Sequence, residues 1–195
     1  MTSAALLLAA GGASRFRGDR SKLVTPFRGR PMFEWSLLAA CGSGCDEVVV
    51  VDGACDLSGL VGPSVRLLHN PGWVDGQATS LNVGVRWCLE QGHDELLVGL
   101  GDQPLIPASA WHTVLAAPRS PIAVATYGRR RGHPVRLSRR VWPMLPETGD
   151  KGAREVLRQY PELVMEVPCV GDPVDIDTLD DLACWNRGEA VAPEG

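Results

Sequence analysis

Short apolar runs alternate with amphipathic stretches along most of the chain. Continuous apolar runs are typical of strands covered on both faces, and they predict strands over residues 4–9, 47–51, 65–69, 95–100 and 122–126. The amphipathic stretches predict helices over residues 33–40, 80–91, 108–116, 154–160 and 179–186. This alternation favours an α/β fold in which helices flank both faces of a mostly parallel sheet.

One segment departs from this alternation. After the run at 122–126, Gly128 and Gly132 enclose three arginines, and His133 and Pro134 lead into a second apolar run at 135–137. This pattern predicts a strand-turn-strand unit, and therefore a small antiparallel excursion within the sheet. The arginines form either a solvated hairpin tip or part of a binding site, and His133 lies at the foot of the hairpin.

Composition narrows the class of protein. The chain has 195 residues and a formal net charge of −4, which suits one domain and argues against nucleic acid as a partner. No apolar stretch has membrane-spanning length, and the first one is too short for a signal peptide. We expect a single cytoplasmic domain over residues 1–187, with reduced thiols, followed by a flexible tail over 188–195.

The most informative segment follows the first predicted strand. A buried strand ends at Gly11 and Gly12, and the basic residues Arg15 and Lys22 come after it. Glycines allow close backbone approach, so this turn predicts an anion-binding loop whose basic side chains neutralise phosphate charge. The spacing matches neither the Walker A loop nor the Gly-x-Gly-x-x-Gly dinucleotide fingerprint. A tight turn with solvated basic residues is the alternative.

Carboxylates follow two later segments. Asp102 comes directly after the strand at 95–100, and Asp175 and Asp177 alternate on an extended stretch. Ligands of open α/β sheets bind outside the carboxyl ends of the strands, and Mg²⁺ takes one or two carboxylates plus phosphate oxygens. Asp102 therefore predicts a metal ligand, with Asp177 or Asp175 as the second. The alternatives are helix caps, Asp102 for the helix at 108 and Asp177 for the helix at 179.

Two further segments open helices. Residues 70–80 join a strand to a helix, and Gly76 and Ser80 in this segment suit a nucleotide base, ribose or phosphate. The alternative is an N-cap at Thr79 or Ser80. Near residue 150, Lys151 and Arg154 lie at the start of another helix and suit a second anion, and a solvated loop is the alternative.

Six motifs, taken in chain order, resemble those of the MobA-like nucleotidyltransferases, and nearly the whole chain takes part. They are Leu8-Ala9-Ala10-Gly11-Gly12-Ala13-Ser14-Arg15 with Lys22, Gly76-Gln77-Ala78-Thr79-Ser80-Leu81 with Gly84, Gly101-Asp102-Gln103-Pro104, Gly132-His133-Pro134-Val135, Gly152-Ala153-Arg154 and Asp175-Ile176-Asp177-Thr178. The third and fourth motifs are most similar to the CTP:molybdopterin cytidylyltransferase (MocA-like) branch. One departure is Arg15-Phe16-Arg17-Gly18, where the family has Arg-Met-Gly.

The resemblance implies a three-layer Rossmann-like domain and a Mg²⁺-dependent transfer of CMP from CTP to a phosphorylated acceptor, such as molybdopterin, with release of pyrophosphate. A molybdoenzyme that receives the product is a possible partner. The implied catalytic residues are Lys22, Arg15 and Asp102. The implied nucleotide contacts are Ala9, Ala10, Gly11, Gly12, Ala13, Lys22, Gly76, Ser80 and Asp102, and the implied acceptor contacts are His133, Arg154 and Arg130. The alternatives are a guanylyltransferase using GTP, a transferase with another phosphorylated acceptor, and a non-catalytic nucleotide-binding or chaperone protein.

Overall fold

A twisted seven-stranded sheet with helices on both faces organises the chain. The computed structural model describes residues 1–12, 21–176 and 178–187. The strands are β1 (Ser3–Leu8), β2 (Pro26–Phe27), β3 (Arg30–Pro31), β4 (Glu47–Asp52), β5 (Val65–His69), β6 (Glu95–Leu100), β7 (Ile122–Tyr127), β8 (Arg130–Ser138) and β9 (Val164–Pro168). The helices are α1 (Met32–Cys41), α2 (Gln77–Gln91), α3 (Ala108–Ala116), α4 (Ala153–Gln159) and α5 (Leu179–Arg187), and short 3-10 turns cover Lys22–Val24, Trp73–Asp75, Arg139–Met144 and Pro161–Leu163.

The sheet has the strand order β5-β4-β1-β6-β8-β7-β9. β1 pairs in parallel with both β4 and β6, whereas β8 runs antiparallel to β6 and β7. The predicted α/β class, with a mostly parallel sheet and an antiparallel excursion, is thus confirmed. No helix in the described ranges is long and apolar enough to cross a membrane.

The core consists of two large apolar layers, one on each face of the sheet, and a smaller cluster around Phe27 and Met32. Successive residues of a strand point to opposite faces. Leu6 and Leu8 accordingly pack with α2, while Ala5 and Leu7 pack with α1 and α3. Residues 4–7 have no exposed surface, because the sheet covers both edges of β1 and helices cover both of its faces. This arrangement explains why the first strand is apolar without alternation.

The structure extends the sequence-based assignment in three places. β9 and the two-residue pair β2–β3 were not predicted, and β8 begins at Arg130, five residues before its apolar run. The polar start of β8 is held by pairing with β7 and by an ion pair from Arg131 Nε to Glu166 Oε1 of β9, at 2.7 Å. Tertiary pairing therefore overrides the weak strand character of an arginine run.

A buried arginine joins the sheet to the end of α3. Arg136 of β8 is 2% exposed, and its Nη1 donates to the carbonyls of Leu115 and Ala117 at 2.8 and 2.9 Å. Its Nη2 donates to the carbonyl of Pro118 at 2.8 Å, and Glu95 Oε1 lies 3.7 Å from its Nε. The guanidinium thus satisfies carbonyls that the end of a helix leaves without partners.

The substitution Arg136→Met should lower the free energy of unfolding by about 3 kcal/mol, because it leaves three carbonyls and the Glu95 carboxylate without a buried partner. Urea denaturation monitored by circular dichroism measures this loss. Arg66→Met, at an exposed position of β5, is the matched control and should change stability by less than about 0.5 kcal/mol. Equal stability of the two variants would contradict a structural role for Arg136.

Candidate active site

The carboxyl ends of β1, β4 and β6 meet at one edge of the sheet. Beyond β1, the Ala9 N–H donates to Val51 O of β4, and the Gly101 N–H after β6 donates to Leu8 O, both at 2.9 Å. Ala9 and Ala10 are each 3% exposed, and the Ala54 N–H donates to Ala10 O at 3.0 Å. These bonds fix the Gly11–Gly12 turn and the Gly101–Asp102 turn side by side.

The two glycines of the first turn differ in what surrounds them. A Cβ on Gly12 would lie 2.9 Å from the indole of Trp73, so packing within the protein excludes a side chain there. A Cβ on Gly11 would meet no atom of the described chain within 4 Å. The absence of a side chain at Gly11 therefore leaves open space beside the backbone, as close approach of a ligand requires.

Lys22 and Asp102 form an ion pair at this edge. The distance from Lys22 Nζ to Asp102 Oδ2 is 3.0 Å, and the side chains are 4% and 29% exposed. A buried ammonium requires such a partner, because burial of an unpaired charge is costly. The structure thus brings together two of the three predicted catalytic residues. Arg15 and Ala13 lie outside the described residues.

Gln103 connects Asp175 to the same turn, a role that the sequence did not reveal. Its Nε2 donates to Asp175 Oδ1 at 2.8 Å and to Pro173 O at 3.3 Å. The side chain is almost fully buried, and its Oε1 has no hydrogen-bond partner in the described part of the chain. Carboxylates and a neutral amide oxygen are ligands that Mg²⁺ accepts, so Asp102, Asp175 and Gln103 fit such an ion. Asp177 lies outside the described residues.

The sequence offered helix capping as the alternative role of Asp102 and of Asp177. Pro107 occupies the N-cap of α3, so Asp102 does not cap that helix. At the start of α5, the Thr178 N–H donates to Asp181 Oδ2 and the Asp181 N–H donates to Thr178 Oγ1, at 2.9 and 3.0 Å. This reciprocal capping box lies one residue beyond the cap that the sequence suggested.

Residues 70–80 form a buried polar network. Asn70 Nδ2 donates to the hydroxyls of Thr79 and Ser80, both at 2.9 Å. The N-cap of α2 is Gly76, so capping by Thr79 or Ser80 is wrong. The hydroxyl of Ser80 accepts a hydrogen bond inside this loop, and its contact with a nucleotide stays a prediction.

Gly76 holds this segment against the loop before α4. A Cβ on Gly76 would lie 2.4 Å from the carbonyl carbon of Gly149, and the φ angle of Gly76 is +103°. The Ala78 N–H donates to Gly149 O, and the Gly149 N–H donates to Asp75 O, at 2.9 and 2.8 Å. Asn82 Nδ2 adds a bond to Pro146 O at 2.7 Å. Gly76 is thus required for contact between two loops, and its predicted nucleotide contact stays a prediction.

His133 and Arg154 lie close enough for their charges to interact. Burial of the imidazole, together with the positive charge of Arg154, lowers the pKa of His133 to about 4. The Tyr127 hydroxyl donates to the His133 carbonyl oxygen at 2.6 Å, and Nδ1 of the ring has no partner in the described ranges. Two of the three predicted acceptor residues are therefore neighbours, whereas Arg130 is exposed near the tip of the β7–β8 hairpin.

A cavity lies beside the Gly11–Gly12 turn, where β4 and β5 end. Its volume is about 370 Å³, and Asp52 and His69 line it. Asp52 ends β4, and its Oδ1 lies 2.8 Å from His69 Nδ1, while its Oδ2 accepts the Leu57 N–H at 3.3 Å. Because both carboxylate oxygens are engaged within the protein, Asp52 orders the connection that follows β4.

The lowered pKa of His133 makes stability depend on pH. The unfolded chain protonates this histidine near its ordinary value of 6.5 and the folded chain near 4, so the unfolded state binds more protons between these values. As pH falls from 7.5 to 4.5, the free energy of unfolding should therefore decrease less in His133→Asn than in the wild type. The difference between the two decreases should be at most about 3 kcal/mol. Urea denaturation at several pH values tests this expectation, which parallel pH profiles of the two proteins would contradict.

A family model described as the MobA-like NTP transferase domain matches residues 5–164. Nicotine blue oxidoreductase from Paenarthrobacter nicotinovorans is 32% identical over 194 residues, which cover 91% of this chain and 93% of that protein. A nucleotidyl transferase from Methanothermobacter thermautotroptrophicus is 23% identical, with a TM-score of 0.79 over 96% of this chain and 97% of that one. Rv0371C from Mycobacterium tuberculosis H37Rv, in complex with manganese, is 23% identical, with a TM-score of 0.77 over 96% and 99%.

Proposed function

Because the chain belongs to the MobA-like NTP transferase domain family, we propose that it transfers CMP from CTP to a phosphorylated acceptor such as molybdopterin and releases pyrophosphate. The observation that carries the transfer chemistry is the Lys22–Asp102 pair beside the Gly11–Gly12 turn. The choice of CTP and molybdopterin rests on the likeness of Gly101-Asp102-Gln103-Pro104 and Gly132-His133-Pro134-Val135 to the cytidylyltransferase branch.

The proposed reaction requires little covalent chemistry from the side chains of the protein. An oxygen of the acceptor phosphate forms a bond to the α-phosphorus, the bond from that phosphorus to the bridging oxygen breaks, and pyrophosphate leaves with the electron pair. Positioning and charge neutralisation provide most of the rate acceleration in such transfers. Lys22 neutralises charge on the triphosphate, the glycine turn allows close approach of the phosphates, and His133 and Arg154 bind the acceptor.

Asp102 and Asp175 are the residues that would hold Mg²⁺. Two carboxylates leave positions for phosphate oxygens, which matches how Mg²⁺ is usually bound, and no larger cluster of acidic, histidine or cysteine ligands occurs in the described ranges. The manganese complex of the similarly folded mycobacterial protein supports a divalent cation. When bound, the ion would neutralise charge that develops on the phosphates.

Pyrophosphate release with each of the four NTPs, Mg²⁺ and a molybdopterin acceptor tests the proposal. Release with CTP alone is the expected result. Release with GTP alone would assign the guanylyltransferase alternative, and calorimetric binding of a nucleotide without release from any NTP would favour a non-catalytic role.

Asp102→Asn should reduce turnover by at least about a thousand-fold, because the site loses a charged metal ligand in a place where charge neutralisation provides most of the catalysis. The isosteric amide preserves a hydrogen-bond acceptor for Lys22, so the melting temperature should fall by only a few degrees. Glu90→Gln removes an exposed carboxylate at the end of α2 and is the matched control. Near-normal turnover of Asp102→Asn would refute the metal assignment.

Gly11→Ala should weaken CTP binding by at least ten-fold while leaving thermal stability unchanged, because the added methyl group enters the space that a ligand would use and meets no described atom. Gly12→Ala should instead lower the melting temperature, since its methyl group would press against Trp73. Calorimetry and thermal denaturation of the two variants measure both effects. Unchanged CTP affinity of Gly11→Ala would argue that the phosphates bind elsewhere.

A second candidate function arises from the relative of 32% identity that is named nicotine blue oxidoreductase. The present chain lacks the Gly-x-Gly-x-x-Gly fingerprint for a dinucleotide, which favours the transferase. Loss of the nicotine blue colour in the presence of NADH or NADPH, without pyrophosphate release from any NTP, would favour the oxidoreductase instead.

A further inference from the structure

A second cavity, of about 400 Å³, opens at the amino-terminal ends of the parallel strands, opposite the candidate active site. It forms where β1 and β6 begin and β8 ends, and Glu95 of β6 pairs there with Ser138 of β8. The six residues of β6 separate this edge from Asp102 by about 20 Å, at roughly 3.3 Å per residue. The cavity is therefore distinct from the site formed by Lys22 and Asp102.

Three arginines converge on this cavity. Arg119 comes from the connection between α3 and β7, and Arg139 and Arg140 begin the 3-10 turn after β8. All three are exposed, and none forms an ion pair within residues 1–12, 21–176 and 178–187. They gather positive charge at one place on a chain whose formal net charge is −4.

The two carboxylates of the cavity are engaged elsewhere. Asp94 Oδ2 accepts the Thr2 N–H at 3.1 Å, and Glu95 lies 3.7 Å from the buried Arg136. Ser138 also lines the cavity, although its hydroxyl oxygen is itself buried. The cavity therefore has an excess of positive charge.

We infer that this cavity is a binding site for a small phosphorylated anion with adjacent phosphate groups. A planar guanidinium group can donate two parallel hydrogen bonds to the oxygens of one phosphate. A cavity of about 400 Å³ lies in the range that encloses small molecules. Inorganic pyrophosphate and a nucleoside diphosphate share this chemistry. The inference does not depend on the transfer reaction.

Isothermal titration calorimetry in EDTA, which removes divalent cations from the candidate active site, tests this inference. The probes are inorganic pyrophosphate and ADP, titrated separately. The double variant Arg139→Gln with Arg140→Gln should bind the preferred probe at least ten-fold more weakly than the wild type. The double variant Arg66→Gln with Arg86→Gln makes the same charge change on exposed residues elsewhere and should bind normally.

If the wild type binds pyrophosphate and the Arg139 and Arg140 changes abolish this binding, the result supports a diphosphate site. The same result with ADP alone would support a nucleotide site. Absence of binding by either probe, or binding that survives in the double variant, would overturn the inference. Lys22→Met serves as a further comparison: a loss confined to this variant would place all phosphate binding at the opposite edge. Melting temperatures establish that each variant is folded.

Discussion

Burial of β1 between two parallel partners is the constraint on which the candidate site depends. The backbone of β1 is paired with β4 on one edge and with β6 on the other, and its side chains divide between two apolar layers. A slip of one residue would exchange these layers, so the register is strongly specified. The chain must then leave the sheet at Ala9 and Ala10, beside the turn that carries Asp102.

Lys22 and Arg136 are both buried, but their partners differ in kind. The guanidinium of Arg136 donates to main-chain carbonyls, which are fixed and cannot be exchanged for a ligand. Lys22 instead pairs with the carboxylate of Asp102, whose side chain is 29% exposed where β6 ends. A carboxylate can pass from an ammonium to a metal ion, and the ammonium can turn to a phosphate. Such an exchange is compatible with the phosphoryl transfer proposed for this site.

Much of the fold was predictable because its strong signals are local. β5, β6 and α3 have the predicted boundaries, since apolar runs and helical periodicity depend on neighbouring residues alone. β9 and the polar half of β8 were not predictable, because the pairing that stabilises them joins distant segments. The same distinction applies to the site. Asp102 was recognisable at the end of a strand, whereas the contact of Gln103 with Asp175 joins residues 72 positions apart. Gly76 was identified from the sequence as a candidate nucleotide contact, but its packing against the backbone of Gly149, 73 positions away, could not be predicted from local sequence.

The contact between Gly76 and Gly149 has a consequence for how two substrates would be handled. One of the two joined segments leads into α2, which contains the proposed nucleotide contact Ser80, and the other leads into α4, which contains the proposed acceptor contact Arg154. Because the backbones touch and are joined by two hydrogen bonds, a shift of one segment alone would break these bonds. A ligand that immobilises one segment lowers the entropic cost of ordering the other, and thermodynamic linkage makes this benefit reciprocal. Under the proposed function, this contact would couple the two substrate sites, so that occupancy of one would favour occupancy of the other.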